Sequence, residues 1–179
     1  MNMAEITIAQ NTLYKGRIIN LRKDDILLPN GKEGTRELVE HPGGVCVLAL
    51  DEEENLYLVE QFRYPYGTVL LEIPAGKRDP GEEPLNTAQR ELEEETGLHA
   101  ENYADLGQMY PTPGYSNEII YLYLATGLYQ GDSRPDEDEF LQVKKIPLKK
   151  AVDMVIDNTI KDAKTQIAVL KVWQRRKGE

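Results

Sequence analysis

Pro84 and Gly97 bracket the segment PLNTAQRELEEET, and they constrain the fold of this chain more than any other pair of residues. Proline is at home in the first turn of a helix and glycine just past the last. The segment therefore predicts one helix of about three turns with an abrupt stop. Around it the pattern changes to strands. VCVLAL (45–50), LYLVEQF (56–62) and TVLLEIP (68–74) precede the helix, and strand-like runs near Asp105 to Met109, Glu118 to Ala125 and Phe140 to Ile146 follow it. Two helices, about Leu148 to Ile156 and Lys161 to Arg175, close the chain. In the second, Ile167, Leu170 and Trp173 recur at three-residue spacing, as a packing face does. Residues 1–42 alternate apolar and polar positions in short pieces around PNG (29–31), which predicts a small antiparallel sheet ahead of a main domain over 43–179. Strands and helices mixed without a regular βαβ repeat imply an α/β (α+β) fold, an α/β/α sandwich on a mixed sheet. Neither a glycine-rich dinucleotide fingerprint nor a P-loop is present.

With 179 residues, 40% of them hydrophobic, the chain can bury one core and still have about 40 residues left for an extra arm. Its longest apolar runs, VCVLAL (45–50) and IIYLYLA (119–125), are of strand length, far below the roughly 20 residues of a membrane span. MNMAEITIAQ has neither a basic nor an apolar leader region, so a cytoplasmic protein without membrane association is expected. Cys46 is the one cysteine and sits in an apolar run, which excludes an intrachain disulfide and reads as core packing. Thirty-one acids against 21 bases argue against nucleic-acid binding, which Lys and Arg drive by neutralising phosphates. A small polyanionic substrate stays open, provided that cations or a few arginines screen it.

At 100° per residue, Glu91, Glu94 and Glu95 fall within about a 100° arc of the predicted helix, while Glu93 points elsewhere. A solvated acidic face is the ordinary account of such a run. Its position argues otherwise, because acids near a helix C-terminus meet the unfavourable end of the macrodipole. A divalent hard cation held by carboxylate and carbonyl oxygens would turn that repulsion into a site. Magnesium or manganese suits these donors. Zinc would usually recruit His or Cys, and His41 and His99 form no ligand-like cluster. Magnesium in turn points to phosphate chemistry, since it binds through one or two carboxylates together with substrate phosphates.

From Gly76 to Leu98 the sequence reads G-x5-E-x7-R-E-L-x-E-E-x-G-L, with Gly76, Glu82, Arg90, Glu91, Leu92, Glu94, Glu95, Gly97 and Leu98 at the fixed positions. This resembles the Nudix box of hydrolases that cleave nucleoside diphosphates linked to another group, and every fixed position is filled. At average residue usage such a match arises by chance with a probability of roughly 10⁻⁹ per starting point. The resemblance implies a Nudix-type α/β/α sandwich in which Glu91 and Glu95 are metal ligands and the Ala75 carbonyl is a third. It implies that Glu94 is a ligand or holds a metal-bound water, and that Arg90 and Glu82 are a supporting pair. Gly76 and Gly97 set the frame, one at the exit from a strand and the other at the stop of the helix.

Pro113 lies fifteen residues after Leu98, in YPTPGYSNE (110–118), and this context resembles the ADP-ribose pyrophosphatase subfamily, with Gly114 and Glu118 as substrate-loop residues. Arg63, late in the strand EQFRYP, matches the arginine that the family sets against substrate phosphates, a task suited to a guanidinium fork. PDEDEF (135–140) resembles the acidic loop that supplies a carboxylate, with Glu137 as base candidate and Glu139 as an extra metal contact, the assignment between the two staying open. In relatives the N-terminal sheet packs across a homodimer with shared active sites. That makes Arg36 a candidate contact from the partner chain, or else a surface ion-pair residue. The expected activity is magnesium-dependent hydrolysis of ADP-ribose to AMP and ribose 5-phosphate. Another nucleoside diphosphate sugar, or a dinucleotide polyphosphate, is the alternative. A non-catalytic nucleotide-sensing module is disfavoured because no box glutamate is missing.

Overall fold

A computed structural model describes residues 3–131 and 140–178. Two compact units result, one formed by Met1–Gly43 with Tyr110–Ile119 and the other by Gly44–Met109 with Ile120–Glu179. The first unit is an antiparallel sheet of β1 (Ile6–Lys15), β2 (Asn20–Leu27) and β3 (Glu33–Glu40), in that order. The expected PNG turn joins β2 to β3, closed by Gly31 donating to the Leu28 carbonyl at 2.9 Å, with Gly31 at φ 80°. Residues 110–119, which a division at 42/43 assigns to the second domain, pair instead with β3. Val39 donates to Tyr115 O at 2.7 Å and accepts from Asn117 N at 3.3 Å.

The second unit holds seven strands among the described residues: β4 (Gly44–Leu50), β5 (Asn55–Arg63), β6 (Thr68–Glu72), β7 (Ala75–Lys77), β8 (Leu98–Met109), β9 (Ile120–Gln130) and β10 (Leu141–Pro147). The sheet order is β10-β5-β4-β9-β8, with β6 beside β5 and β7 beside β4. β4 runs parallel to β9 and antiparallel to β5 and β7, so the sheet is mixed as expected. Every residue of β4 is buried, because helices cover both of its faces. Cys46, Leu48 and Leu50 pack with residues of α2 (Leu148–Ile156) and α3 (Ala163–Gly178), whereas Val45, Val47 and Ala49 pack with Ala88 and Leu92 of α1 (Pro84–Thr96). Each fully buried Leu in these layers is worth about 1.5–3 kcal/mol. Cys46 lies in the core as its apolar context implied, and burial pushes its thiol up to about 12.

Two elements depart from the sequence reading. β8 begins at Leu98, well before the expected Asp105, because HAENYAD lacks apolar alternation and is held as strand by pairing with β9. On α3 the buried residues are Thr165, Ala168, Val169 and Val172, an i, i+3, i+4, i+7 set, while Leu170 is 39% exposed and Ile167 and Trp173 are only partly buried. Among the described residues no helix is long and apolar enough to cross a membrane.

Candidate active site

α1 starts at Pro84 and stops at Gly97, whose left-handed φ of 70° lets its amide donate to the Glu93 carbonyl at 2.8 Å. That frame decides which glutamates turn inward. Glu91 and Glu95 are buried on the face of α1 that packs toward β7, and the Ala75 amide donates to Glu95 Oε2 at 3.2 Å. A Cβ at Gly76 would fall on the Glu91 carboxylate, so glycine is what lets strand and carboxylate approach this closely. Glu94 is more exposed, and Glu93 approaches His99 at 3.7 Å, away from the other three.

Arg90 ties the box together. Its Nη1 donates to Glu91 Oε1 at 2.8 Å and to Glu94 Oε2 at 2.9 Å, and its Nη2 donates to Glu82 Oε2 at 3.1 Å and to the Lys77 carbonyl at 3.2 Å. Burial alone would lower the pKa of Arg90. The hydrogen bond with Glu82, the charge of Glu91 and the hydrogen bonds with Glu94 and Glu91 outweigh it and hold the guanidinium well above its ordinary value. The hydrogen bond from Arg90 in turn draws Glu82 down to about 2. Arg90 and Glu82 are thus hydrogen-bonded to each other.

Arg63, at the end of β5, meets a partner that sequence reasoning missed. Its Nε and Nη2 donate to the two oxygens of Glu72 at 2.7 and 2.6 Å, and Lys164 of α3 donates to Glu72 Oε2. A charged residue inside TVLLEIP was the available signal, since a carboxylate in an apolar strand needs cationic partners.

The remaining predicted contacts lie in the first unit. Arg36 is exposed, pairs with Glu5, and lines a cavity of about 420 Å³ with Gly114, Arg22, Asp24 and Tyr115. Glu118 faces His41, its Oε1 3.2 Å from Nδ1, and the His41 amide donates to Asn117 Oδ1 at 2.9 Å. Glu137 and Glu139 lie outside the described residues.

Residues 40–168 match the NUDIX domain, and residues 5–39 match the nucleoside diphosphate sugar hydrolase N-terminal domain. The chain belongs to the Nudix hydrolase family. It is 42% identical over 170 residues to an ADP-ribose pyrophosphatase of Bacillus subtilis, covering 94% of this chain and 92% of that one. An ADP-ribose pyrophosphatase of Mycobacterium tuberculosis is 39% identical over 170 residues, covering 93% of this chain and 82% of that one. A methanol dehydrogenase activator of Bacillus methanolicus is 43% identical over 167 residues, with coverages of 92% and 90%. The fold also matches a crystal structure of an ADP compounds hydrolase with a TM-score of 0.86 at 24% identity, covering 97% of this chain and 95% of that one.

Nudix hydrolases generally depend on a divalent metal. The donors here suit a hard cation: carboxylate oxygens of Glu91 and Glu95 beside the backbone of Ala75, with Glu91 brought against the strand by the missing side chain of Gly76. Among the described residues no three His, Cys, Asp or Glu side chains are grouped so as to hold an ion alone, and Arg90 takes one oxygen each of Glu91 and Glu94. Such a site leans on backbone and water oxygens, as sites for hard divalent cations do.

Proposed function

We propose that this chain is a magnesium-dependent ADP-ribose diphosphatase that adds water across the diphosphate and releases AMP and ribose 5-phosphate. The observation that carries the reading is the packing of buried Glu91 and Glu95 against Ala75 and Gly76, in a chain 42% identical to an ADP-ribose pyrophosphatase. Glu91, Glu95 and the Ala75 carbonyl hold the magnesium, for which manganese would substitute, and Glu94 adds a ligand or orients a water. When bound, the ion supplies charge neutralisation at the diphosphate and makes water more acidic. Arg63 offers its guanidinium to the phosphate oxygens, where a planar fork is worth more than a point charge. Glu137 takes the proton of the attacking water and Glu139 adds a metal contact, or the two exchange roles. Arg36, Gly114 and Glu118 serve as further substrate contacts, Arg36 supplied by the second chain of a homodimer. A cytoplasmic location belongs to the same proposal.

A substrate panel at controlled magnesium, with products separated by chromatography, tests this directly. ADP-ribose should turn over fastest and give AMP with ribose 5-phosphate; faster turnover of GDP-mannose or a dinucleotide polyphosphate would reassign the substrate. Glu95→Gln should stay folded and lose activity by orders of magnitude, and full activity in that variant would remove the metal assignment.

The identity to the methanol dehydrogenase activator supports a second reading, that the chain raises the rate of a methanol dehydrogenase. Adding wild type and Glu95→Gln to such an enzyme separates the possibilities. Stimulation by wild type alone ties the effect to hydrolysis, stimulation by both makes it independent, and stimulation by neither rejects it.

A further inference from the structure

Arg63 sits at the mouth of a buried polar network that none of the box residues explains. Its side chain is 35% exposed, whereas those of Glu72 and Lys164 behind it are 2% and 12% exposed. Glu72 holds the guanidinium by a bidentate pair through Nε and Nη2, which leaves Nη1 without a partner among the described residues. A bidentate carboxylate fixes the plane of an arginine and at the same time cancels its charge. Lys164 donates to the same Oε2 and so holds the carboxylate from behind. With Asp162, which pairs with Lys164, the four groups carry no net charge, so what the network supplies to Arg63 is a fixed orientation through the bidentate pair.

Lys164 is itself held in place. Asp162 accepts from Lys164 Nζ at 2.8 Å through Oδ1 and caps α3 through Oδ2, which accepts from the Thr165 amide at 2.9 Å and from its hydroxyl at 2.6 Å. Thr165 Oγ1 also accepts from the Ile73 amide at 2.9 Å, binding the start of α3 to the residue that follows Glu72. Burying four charges is costly unless each is paired. A hydrophobic filling would serve stability as well, so the network's cost calls for another return.

We propose that Glu72, backed by Lys164, is a positioning residue that orients Arg63 toward the substrate's diphosphate; this rests on the reading of Arg63 as the phosphate contact. The test is a double-mutant cycle of Glu72→Gln and Arg63→Ala, read by KM and kcat for ADP-ribose and by calorimetric Kd for ADP-ribose without metal. Glu72→Gln should raise KM and Kd roughly tenfold with a smaller change in kcat, and should change neither in the Arg63→Ala background. Equal losses in both backgrounds would overturn the positioning role while leaving Arg63 as a contact. Arg63→Ala without effect on either constant would overturn the contact and the positioning together. Lys164→Met, which leaves the Arg63–Glu72 pair chemically intact, should weaken binding in the same direction by a smaller factor. That variant keeps the test available if Glu72→Gln does not fold, and unchanged constants in it would exclude the backing role.

Discussion

Three carboxylates on one face of α1 repel one another, and Arg90 offsets two of them, Glu91 and Glu94. It reaches Glu91 and Glu94 through one nitrogen and Glu82 through another, so a single residue stabilises the acidic turn and sets the orientation of its glutamates. Gly76 acts by what it lacks. Gly76→Ala should leave the fold intact by circular dichroism yet push the Glu91 carboxylate aside, lowering kcat/KM roughly tenfold, with part of the loss recovered as magnesium is raised. Glu72 governs a different observable. Burial alone would raise its pKa, but the Arg63 hydrogen bond and the Lys164 charge reverse this, and the net shift is downward. A carboxylate depressed in the folded state contributes stability above its unfolded pKa, near 4.3, and loses it as pH falls through the folded value. Wild type should thus exceed Glu72→Gln in Tm at neutral pH, and in a thermal series the gap should narrow as pH falls below the ordinary carboxylate range and close beneath the folded value. The box residues were legible because helical periodicity relates neighbours in sequence. Glu72 and Lys164 were not, since 92 positions separate them and no local pattern reports such a pair.

Among the elements, α1 and α2 were legible end to end, for physical reasons that lie in the chain itself. Pro84 and Gly97 delimit α1, and Pro147 stands immediately before α2. β8 and the buried face of α3 depended on partners. The register of β8 on β9 carries a strand through polar residues, and a bulge between Asp105 and Gly107, with Gly107 at φ 91°, absorbs one extra residue. The stop of α1 is open to a direct test. Gly97→Ala forces a side chain into the left-handed region at a cost of about 1–2 kcal/mol. For a chain of this size, that cost should appear as a fall in Tm of roughly 2–8 °C by differential scanning calorimetry.

At the scale of the molecule, the first unit carries an outlying strand whose ten residues are all exposed, Ile6, Ile8, Leu13 and Tyr14 among them. Among the described residues its outer edge pairs with no other strand, and an edge of that kind invites association, so the proposed homodimer can be tested there. Wild type should sediment at twice the chain mass, and Ile6→Glu with Ile8→Glu should sediment as a monomer; a monomeric wild type would reject the assignment. That the segment 110–119 joins the first unit could not be read from the order of strands, because its bonds to Val39 cross the intervening sequence. The parallel pairing of β4 with β9, Gly44 opposite Ile120 through Ala49 opposite Ala125, imposes an order of events during folding. The whole motif from Gly76 to Leu98 lies inside the loop that this pairing closes, and closing so long a loop is slow. The hydrogen bonds of α1 are local and need no such closure, but its glutamates gain their rigid backing only when the central strands meet. Recovery of catalysis on refolding should therefore trail recovery of helical signal, which makes hydrolysis a late reporter of the finished protein.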